Sequence, residues 1–308
     1  MTYPATTLYD LAKFQPLPRI LSHDDFDTGP NGWVDLTPNF TEPDFDSRDS
    51  PVNRKIFGPC MLSSNTYRLV GTHGSMNGTY SLKVATRKAA DPYTSPSVSG
   101  GFGQAIKRLS VHRPRGLLQF EMWFTYKAEQ DRPGLGENDV RAFGFMFDLQ
   151  DAEYRCFPAV RYLNAVHGEM KQHWQYAVAT EVSDEEWTYG HRGEWHVRGI
   201  DPQWFGRRYP DGTTDGFRQI PGSEQKLCFN ESDDKINWLY FRFLFDMGKR
   251  QYVELQSGEK AFDMRGLSPT LVQPYERITS LLNPSVWIET DADRRSFLYL
   301  DSVLLSCE

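Results

Sequence analysis

Residues 117–127 read LLQFEMWFTYK, and apolar side chains alternate with polar or amphipathic ones along them. A period of two over such a length is typical of a β-strand with one buried face. Residues 141–149 (RAFGFMFDL) and 238–246 (WLYFRFLFD) repeat the pattern, each with phenylalanine at three alternate positions. These three segments therefore predict long strands that lay rows of aromatic side chains against a common core.

Six further segments have strand character and lie between breaks rich in Gly, Pro, Asn and Asp. They are residues 80–87, 157–164, 173–180, 251–257, 285–290 and 296–305. Only short helices are predicted, one of them near Gln273–Leu282. Nine strands without intervening amphipathic helices predict an all-β fold, an antiparallel two-sheet β-sandwich, rather than alternating strand and helix units.

The chain of 308 residues could hold two domains, but a large β-sandwich can use that length as one. We predict an N-terminal arm over 1–20 and a single β-sandwich domain over 21–308. An aromatic-rich insertion at about 183–235 contains Trp187, Trp195 and Trp204 and shows little periodicity. Long irregular segments of this kind are often binding loops or lids, and an insertion packed on its own aromatic residues is the alternative.

Composition excludes several classes of partner. The formal net charge is −7 and no block of Lys and Arg occurs, so neither nucleic acid nor a membrane surface is an expected partner. The first residues show no signal peptide, and no apolar run approaches the roughly 20 residues of a spanning helix, so we predict a cytoplasmic protein. The absence of a phosphate-binding loop or dinucleotide fingerprint predicts no nucleotide or nicotinamide cofactor.

Three segments carry a resemblance to known families: DDFDTG at 24–29 followed by Trp33, NGTYSLKV at 77–84 and FLYLDSVLL at 297–305. They are similar to the opening strand, an inner strand and the closing strand of jelly-roll carbohydrate-binding modules. Residues 238–264 also resemble concanavalin A-like lectin and glucanase sandwiches, in which a strand ends in Phe-Asp and the next hairpin continues to a second Phe-Asp. The resemblance implies a jelly-roll or concanavalin A-like fold and a saccharide ligand.

In such modules the first and last strands lie side by side, and their acidic residues commonly hold a structural calcium ion. The resemblance thus implies a Ca²⁺ site at Asp25, Asp27 and Asp301, completed by backbone carbonyls near residues 77–81. Calcium takes six to eight oxygen ligands and accepts carbonyls, so the residue types suit it. The alternative is a turn in which Asp24 and Asp25 cap backbone amides while Asp301 pairs with an arginine.

Strand alternation predicts a binding surface opposite the aromatic rows, because successive side chains point to opposite faces. Sugars stack on aromatic rings, and their hydroxyls bind carboxylates and guanidinium groups. We assign the residues of this parity to one polar face, with small Ala142 and Gly144 leaving a concave floor. The predicted ligand-binding residues are Glu121, Trp123, Asp148, Tyr240 and Arg242, with Arg161, His173 and Gln175 on neighbouring strands. An ordinary solvated face with Glu121 and Arg242 as a cross-strand pair remains the alternative.

Two functional hypotheses follow. The first is a carbohydrate-recognising β-sandwich. If it is an enzyme, we expect a sugar hydrolase or a polysaccharide lyase-like activity, with Glu121 or Asp148 as the candidate catalytic acid or base. The second is a non-catalytic structural or interaction protein, in which the aromatic-rich insertion mediates contacts with a partner or within a homo-oligomer.

Overall fold

The computed structural model describes residues 11–35, 57–58, 60–64, 74–86, 101–110, 115–129, 136–177, 217–230, 237–269, 271–272, 274, 278–290, 292 and 294–308. Within these ranges the chain forms eighteen strands and a 3₁₀ turn at Glu137–Asp139. The strands are β1 Arg19–Asp24, β2 Trp33–Asp35, β3 Phe57–Gly58, β4 Cys60–Ser63, β5 Ser81–Ala85, β6 Gly101–Lys107, β7 Leu117–Ala128, β8 Ala142–Gln150, β9 Arg155–Cys156, β10 Ala159–Val166, β11 Glu169–Ala177, β12 Phe217–Glu224, β13 Leu239–Asp246, β14 Gln251–Ser257, β15 Lys260–Asp263, β16 Leu271–Val272, β17 Leu281–Thr290 and β18 Ser296–Cys307.

The strands form two sheets. Sheet A has the order β15-β14-β13-β7-β18-β5-β4, and β1 pairs with the second half of β18. Sheet B has the order β12-β11-β10-β8-β17-β6-β2, with β3 beside β6, β9 beside β8 and β16 beside β9. Every pairing is antiparallel except the short contact of β3 with β6. The predicted antiparallel two-sheet β-sandwich is confirmed. None of the helices within the described ranges is long and apolar enough to cross a membrane.

All nine predicted strands are present, with ends shifted by a few residues. The nine that the sequence analysis missed include six of two to four residues, which are too short to show a period. Strand β12 contains Pro221 and Gly222, residues that strands tolerate at sheet edges and bulges, and β12 lies at the edge of sheet B. The predicted helix near Gln273–Leu282 is wrong where it is described, because Leu281 and Leu282 begin β17 and pair with β8.

The hydrophobic core lies between the sheets and is built from the predicted aromatic rows. Phe120 of β7 stacks on Phe145 of β8 with ring centroids 3.8 Å apart, and both side chains are fully buried. Phe147 of β8 stacks on Phe243 of β13 at 5.9 Å. Burial of one such ring contributes about 1.5–3 kcal/mol. The rows therefore determine which face of each strand is turned inward.

The two ends of the domain meet, as the resemblance implies, because β1 pairs with β18. The loop before β5 is held by a carboxylate from each end. One Asp301 oxygen accepts the amides of Met76 and Asn77 at 2.5 and 2.8 Å, and one Asp27 oxygen accepts those of Thr79 and Tyr80 at 2.6 and 3.0 Å. This loop therefore links the first strand to the last.

A substitution at Gly78 tests whether Asp27 holds the loop before β5. Gly78 has φ of +95°, and a Cβ atom built there would lie 1.8 Å from an Asp27 carboxylate oxygen. We expect Gly78→Ala to lower the free energy of unfolding by about 3 kcal/mol or more, because a strained φ and a displaced carboxylate each cost about 1–3 kcal/mol. Denaturant unfolding measures the loss.

The matched control is Gly258→Ala, because Gly258 also has positive φ (+57°) but has nothing within 4 Å of the added Cβ. The free energy of unfolding of this variant should fall only by the cost of a left-handed alanine, about 1–2 kcal/mol. Equal losses in the two variants would show that the contact with Asp27 contributes nothing.

Candidate functional site

The two sheets divide the predicted binding residues into two groups. Glu121 and Trp123 of β7 and Tyr240 and Arg242 of β13 lie on the outer face of sheet A. Asp148 of β8 lies on the outer face of sheet B. The prediction of one common polar face is therefore wrong. Because the aromatic rows of β7 and β8 face each other, the polar side chains of these strands point in opposite directions.

On sheet A the predicted sugar face binds the chain's own N-terminal arm. The backbone N–H of Gln15 donates to Glu121 Oε1 at 2.7 Å, and its carbonyl accepts from Gln119 Nε2 at 2.7 Å. The side-chain oxygen of Gln15 accepts from Arg242 Nη1 at 2.9 Å. Two residues further on, the N–H of Leu17 donates to Ser306 Oγ at 3.0 Å. An extended segment of the arm thus lies across β18, β7 and β13.

Glu121, a predicted catalytic candidate, is fully buried beneath this arm. Besides the amide of Gln15, it accepts hydrogen bonds from Gln119 Nε2 at 2.8 Å and from the hydroxyl of Tyr240 at 2.5 Å. Burial, followed by this bond to Glu121, raises the pKa of Tyr240, so the phenol stays protonated. Arg242 forms its ion pair with Glu254 rather than with Glu121. The predicted cross-strand pair of Glu121 and Arg242 is therefore also wrong, although the two residues are in register.

On sheet B a connected set of polar and aromatic side chains surrounds Arg161 of β10. Arg161 Nε donates to Gln175 Oε1 at 2.8 Å, and its Nη1 lies 3.7 Å from Glu289 Oε1. The guanidinium carbon lies 4.1 Å from the centre of the Phe217 ring. Glu289 also accepts from Trp287 Nε1 at 2.8 Å. We call Arg161, Gln175, Trp287, Glu289 and Phe217 the sheet-B network; they come from β10, β11, β17 and β12.

The small residues on this face accommodate the network rather than a cavity. A Cβ atom on Gly144 would lie 2.3 Å from the indole ring of Trp287 and 2.6 Å from the carbonyl oxygen of Val160. Ala142 is the cross-strand partner of Glu289. The predicted concave floor at Ala142 and Gly144 is therefore wrong at Gly144, because the indole takes up the space left by the missing side chain.

His173 and Gln175 extend the network along β11. His173 Nδ1 lies 3.2 Å from the carbonyl of Lys171, and its Nε2 lies 3.2 Å from Gln175 Nε2. Because a carbonyl can only accept, Nδ1 carries the proton and Nε2 accepts from the Gln175 amide. Burial lowers the pKa of His173, which favours the neutral ring. Three predicted residues, Arg161, His173 and Gln175, are thus brought together.

Asp148 lies on the same outer face but forms a separate pair. Its two carboxylate oxygens accept from Nε and Nη2 of Arg155, each at 2.8 Å, and both side chains are buried. Asp148 and Gly144 are four residues apart on β8, which is about 13 Å along a strand. This bidentate pair closes the β8–β9 hairpin. Asp148 and Glu121, the two predicted catalytic carboxylates, therefore belong to different sheets.

The described residues do not fit the calcium ion that the resemblance implies. Among them, no group of three or more His, Cys, Asp or Glu side chains converges as a metal site would require. Asp27 and Asp301 bind backbone N–H groups instead of sharing a cation with carbonyls, and Asp25 accepts the N–H of Asp27 at 3.2 Å. An N–H group cannot ligate a cation, so this arrangement is a set of capped turns. Asp24, which the alternative prediction made a cap of backbone amides, forms an ion pair instead, with its Oδ1 2.7 Å from Lys107 Nζ.

Sequence reasoning missed Trp287, Glu289 and Phe217. The first two share a parity on β17, opposite to that of Val286 and Ile288 of the core. The alternation that separated the faces of β7 would therefore have identified them. Phe217 lies in the predicted insertion, of which residues 217–224 form β12. Trp187, Trp195 and Trp204 lie outside the described residues.

Gly144→Ala tests the packing of the network. The added methyl group must displace the Trp287 indole or the backbone of β10, and overpacking of this kind costs about 1–3 kcal/mol or more. We expect a lower melting temperature and a changed near-ultraviolet circular dichroism signal from the displaced indole. Gly248→Ala is the control, since its nearest neighbour, an Asp246 oxygen, lies at an ordinary 3.5 Å. A native spectrum for Gly144→Ala would contradict this packing.

We expect protonation of His173 to make the stability of the protein depend on pH. Because its pKa in the fold lies below the ordinary histidine value of 6.5, the unfolded chain takes up the proton first as the pH falls. This contribution to stability is therefore complete above pH 6.5 and is lost as the pH falls towards the lower pKa of the folded state. Unfolding of the protein and of His173→Gln between pH 7.5 and 5 measures the difference. Parallel profiles would contradict the assignment.

Comparison with known proteins gives weak similarities to solved β-sandwich structures. The carbohydrate recognition domain of Emp47p has a TM-score of 0.38 at 9% identity over 96% of this chain and 99% of that one. Lectin II from Ulex europaeus scores 0.37 at 7% identity over 83% and 94% of the two chains. Alginate lyase Aly36B, in complex with alginate trisaccharide, scores 0.38 at 10% identity over 80% and 98%. No curated protein matches the sequence. A family model described as "Domain of unknown function (DUF6772)" matches residues 4–308, and the chain belongs to that family.

Proposed function

We propose that the chain is a saccharide-binding protein whose ligand lies against the outer face of sheet B, over the sheet-B network. The observation that carries this proposal is the buried, charged pair of Arg161 and Glu289. The pair lies outside the hydrophobic core, on the opposite side of sheet B from the aromatic rows.

Stability alone does not account for this pair. Removing two charges from water costs several kcal/mol for each ion, and their attraction often does no more than offset that cost. Well-packed apolar residues in place of a buried ion pair often leave the stability of a protein unchanged or raise it. Fully buried arginine and glutamate side chains are rare in proteins. We therefore assign the pair to ligand recognition.

The chemistry of the network suits a sugar. Trp287 and Phe217 have rings of the kind that stack against the C–H groups of a pyranose. Both rings are buried, so a ligand would reach them only by displacing the groups that cover them. Gln175 and His173, nearer the edge of the sheet, have amide and imidazole groups that can exchange hydrogen bonds with hydroxyls. A charged guanidinium gives stronger and more directional hydrogen bonds than a neutral donor. Ring faces and planar polar groups thus lie side by side across three adjacent strands, β10, β11 and β12, and on β17.

We propose that the protein binds a saccharide and does not turn it over. Glu121 accepts hydrogen bonds from the arm and from two sheet A side chains, and both oxygens of Asp148 bind Arg155. Neither predicted catalytic carboxylate is placed beside the network. A sugar hydrolase or lyase activity would need an acid or base other than these two.

The test compares one substitution on each sheet. Gln175→Ala removes a polar group of the network, whereas Tyr240→Phe removes the phenol that donates to Glu121 on sheet A. Thermal shift against a panel of oligosaccharides identifies the ligand, since a ligand at 100 times its Kd stabilises by about 2.7 kcal/mol. We expect Gln175→Ala to weaken binding about tenfold, the loss of one hydrogen bond of about 1.4 kcal/mol, and Tyr240→Phe to leave it unchanged.

Two results would overturn the proposal. One is the absence of a thermal shift of the unsubstituted protein with every saccharide tested. The other is a ligand whose affinity falls with Tyr240→Phe and not with Gln175→Ala, which would place binding on sheet A. Calorimetric titration of both variants with the same oligosaccharide separates these cases.

A further inference from the structure

Lys83 of β5 lies on the outer face of sheet A, in a group of side chains that neither the arm nor the sheet-B network uses. Its Nζ lies 4.6 Å from the centre of the Phe297 ring on β18. Arg295 lies over the same ring at 5.7 Å, and its guanidinium pairs with Glu129. Lys127 of β7 is the cross-strand partner of Phe297. Two basic side chains therefore lie at one aromatic ring, a third basic residue lies on the neighbouring strand, and one of the three, Arg295, is paired with a carboxylate.

The environment of Lys83 disfavours its charged form. The residue is half-buried, and within the described part of the chain it has no hydrogen bond or ion pair. Its contact with the Phe297 ring favours the ammonium form and opposes the effect of burial. Its cross-strand partners on β4 and β18 are Met61 and Tyr299, which bring no negative charge. Burial, then the charges of Arg295 and Lys127, lower its pKa from 10.5 to about 8, and Glu129 offsets only part of this.

Desolvation and a neighbouring cation are the two means by which proteins activate a lysine as a nucleophile. At pH 7 the shift gives Lys83 about 300-fold more free amine than an unperturbed lysine has. A less basic amine is also a weaker nucleophile, so the gain in rate is smaller than the gain in free amine. The nearby Arg295 and Lys127 would attract an electrophile that carries a negative charge.

We propose that Lys83 is a nucleophilic amine site that forms a Schiff base with a small carbonyl compound bearing a carboxylate. The Lys83 nitrogen attacks the carbonyl carbon, the new N–C bond forms, and the carbonyl oxygen leaves as water after proton transfer. No oxidant or reductant takes part in forming the imine. The proposal is independent of saccharide binding on sheet B.

Reductive trapping tests the proposal. The full-length protein is treated with glyoxylate and cyanoborohydride at pH 7, which reduces each imine to a stable secondary amine, and peptide mass spectrometry measures the rate at each lysine. We expect Lys83 to be modified at least about tenfold faster than Lys249, whose side chain is 75% exposed. Equal rates at the two lysines would overturn the proposal.

Two controls test the preference for an anionic substrate and the role of Arg295. Glycolaldehyde, a neutral aldehyde of similar size, should react with Lys83 more slowly than glyoxylate does, and equal rates would overturn the assignment of an anionic substrate. Arg295→Gln should reduce the preference for glyoxylate, whereas Arg265→Gln should not. Arg265 is a fair comparison because it is an exposed arginine paired with Asp263, at the far edge of sheet A.

The unsubstituted protein provides a measurement that does not depend on the folding of a variant. The modification rate of Lys83 should reach half of its maximum near pH 8. A rate at Lys83 that still rises steeply above pH 9 would contradict the activated amine.

Discussion

The facing rows of phenylalanine on β7, β8 and β13 are the constraint on which the rest of the structure depends. Because the stack of Phe120 on Phe145 joins the two sheets, the parity of each strand is fixed along its length. A shift of one residue would turn every buried ring to the surface. The polar side chains of β7 must therefore point away from those of β8, and the protein has two outer faces with different chemistry.

Each outer face contains one fully buried glutamate, and the two glutamates have different partners. Glu121 on sheet A accepts hydrogen bonds from uncharged groups: an amide of the arm, a glutamine and a phenol. Its donors come entirely from the chain, which stabilises a fixed contact between the arm and the sheet. Glu289 on sheet B pairs with the guanidinium groups of Arg141 and Arg161 and accepts a hydrogen bond from the indole of Trp287. A charged donor and an aromatic ring are the groups that a polar ligand with apolar patches can use.

The sequence predicted the fold well because its strongest signal is local. Nine of the strands could be found from their alternation, and the first and last strands were expected to be adjacent. The binding site was predicted in part. Arg161, His173 and Gln175 do lie together, but whether β7 and β8 share a sheet depends on strand order, which a period of two does not encode. The contact between Gln15 and Glu121 could not be predicted either, since it joins residues 106 positions apart.

The arm also determines what the rest of sheet A can do. It contacts the sheet at Gln119, Glu121 and Arg242, at one end of the central strands, and at Ser302 and Ser306 of β18. Lys83 pairs with Tyr299, which pairs in turn with Thr125, so it lies beyond Trp123, towards the other end of β7. Sheet A is thus divided along its strands into a part that binds the chain itself and a part with excess positive charge. Because the arm covers the first part, the second part is the region of this sheet that is left for a ligand.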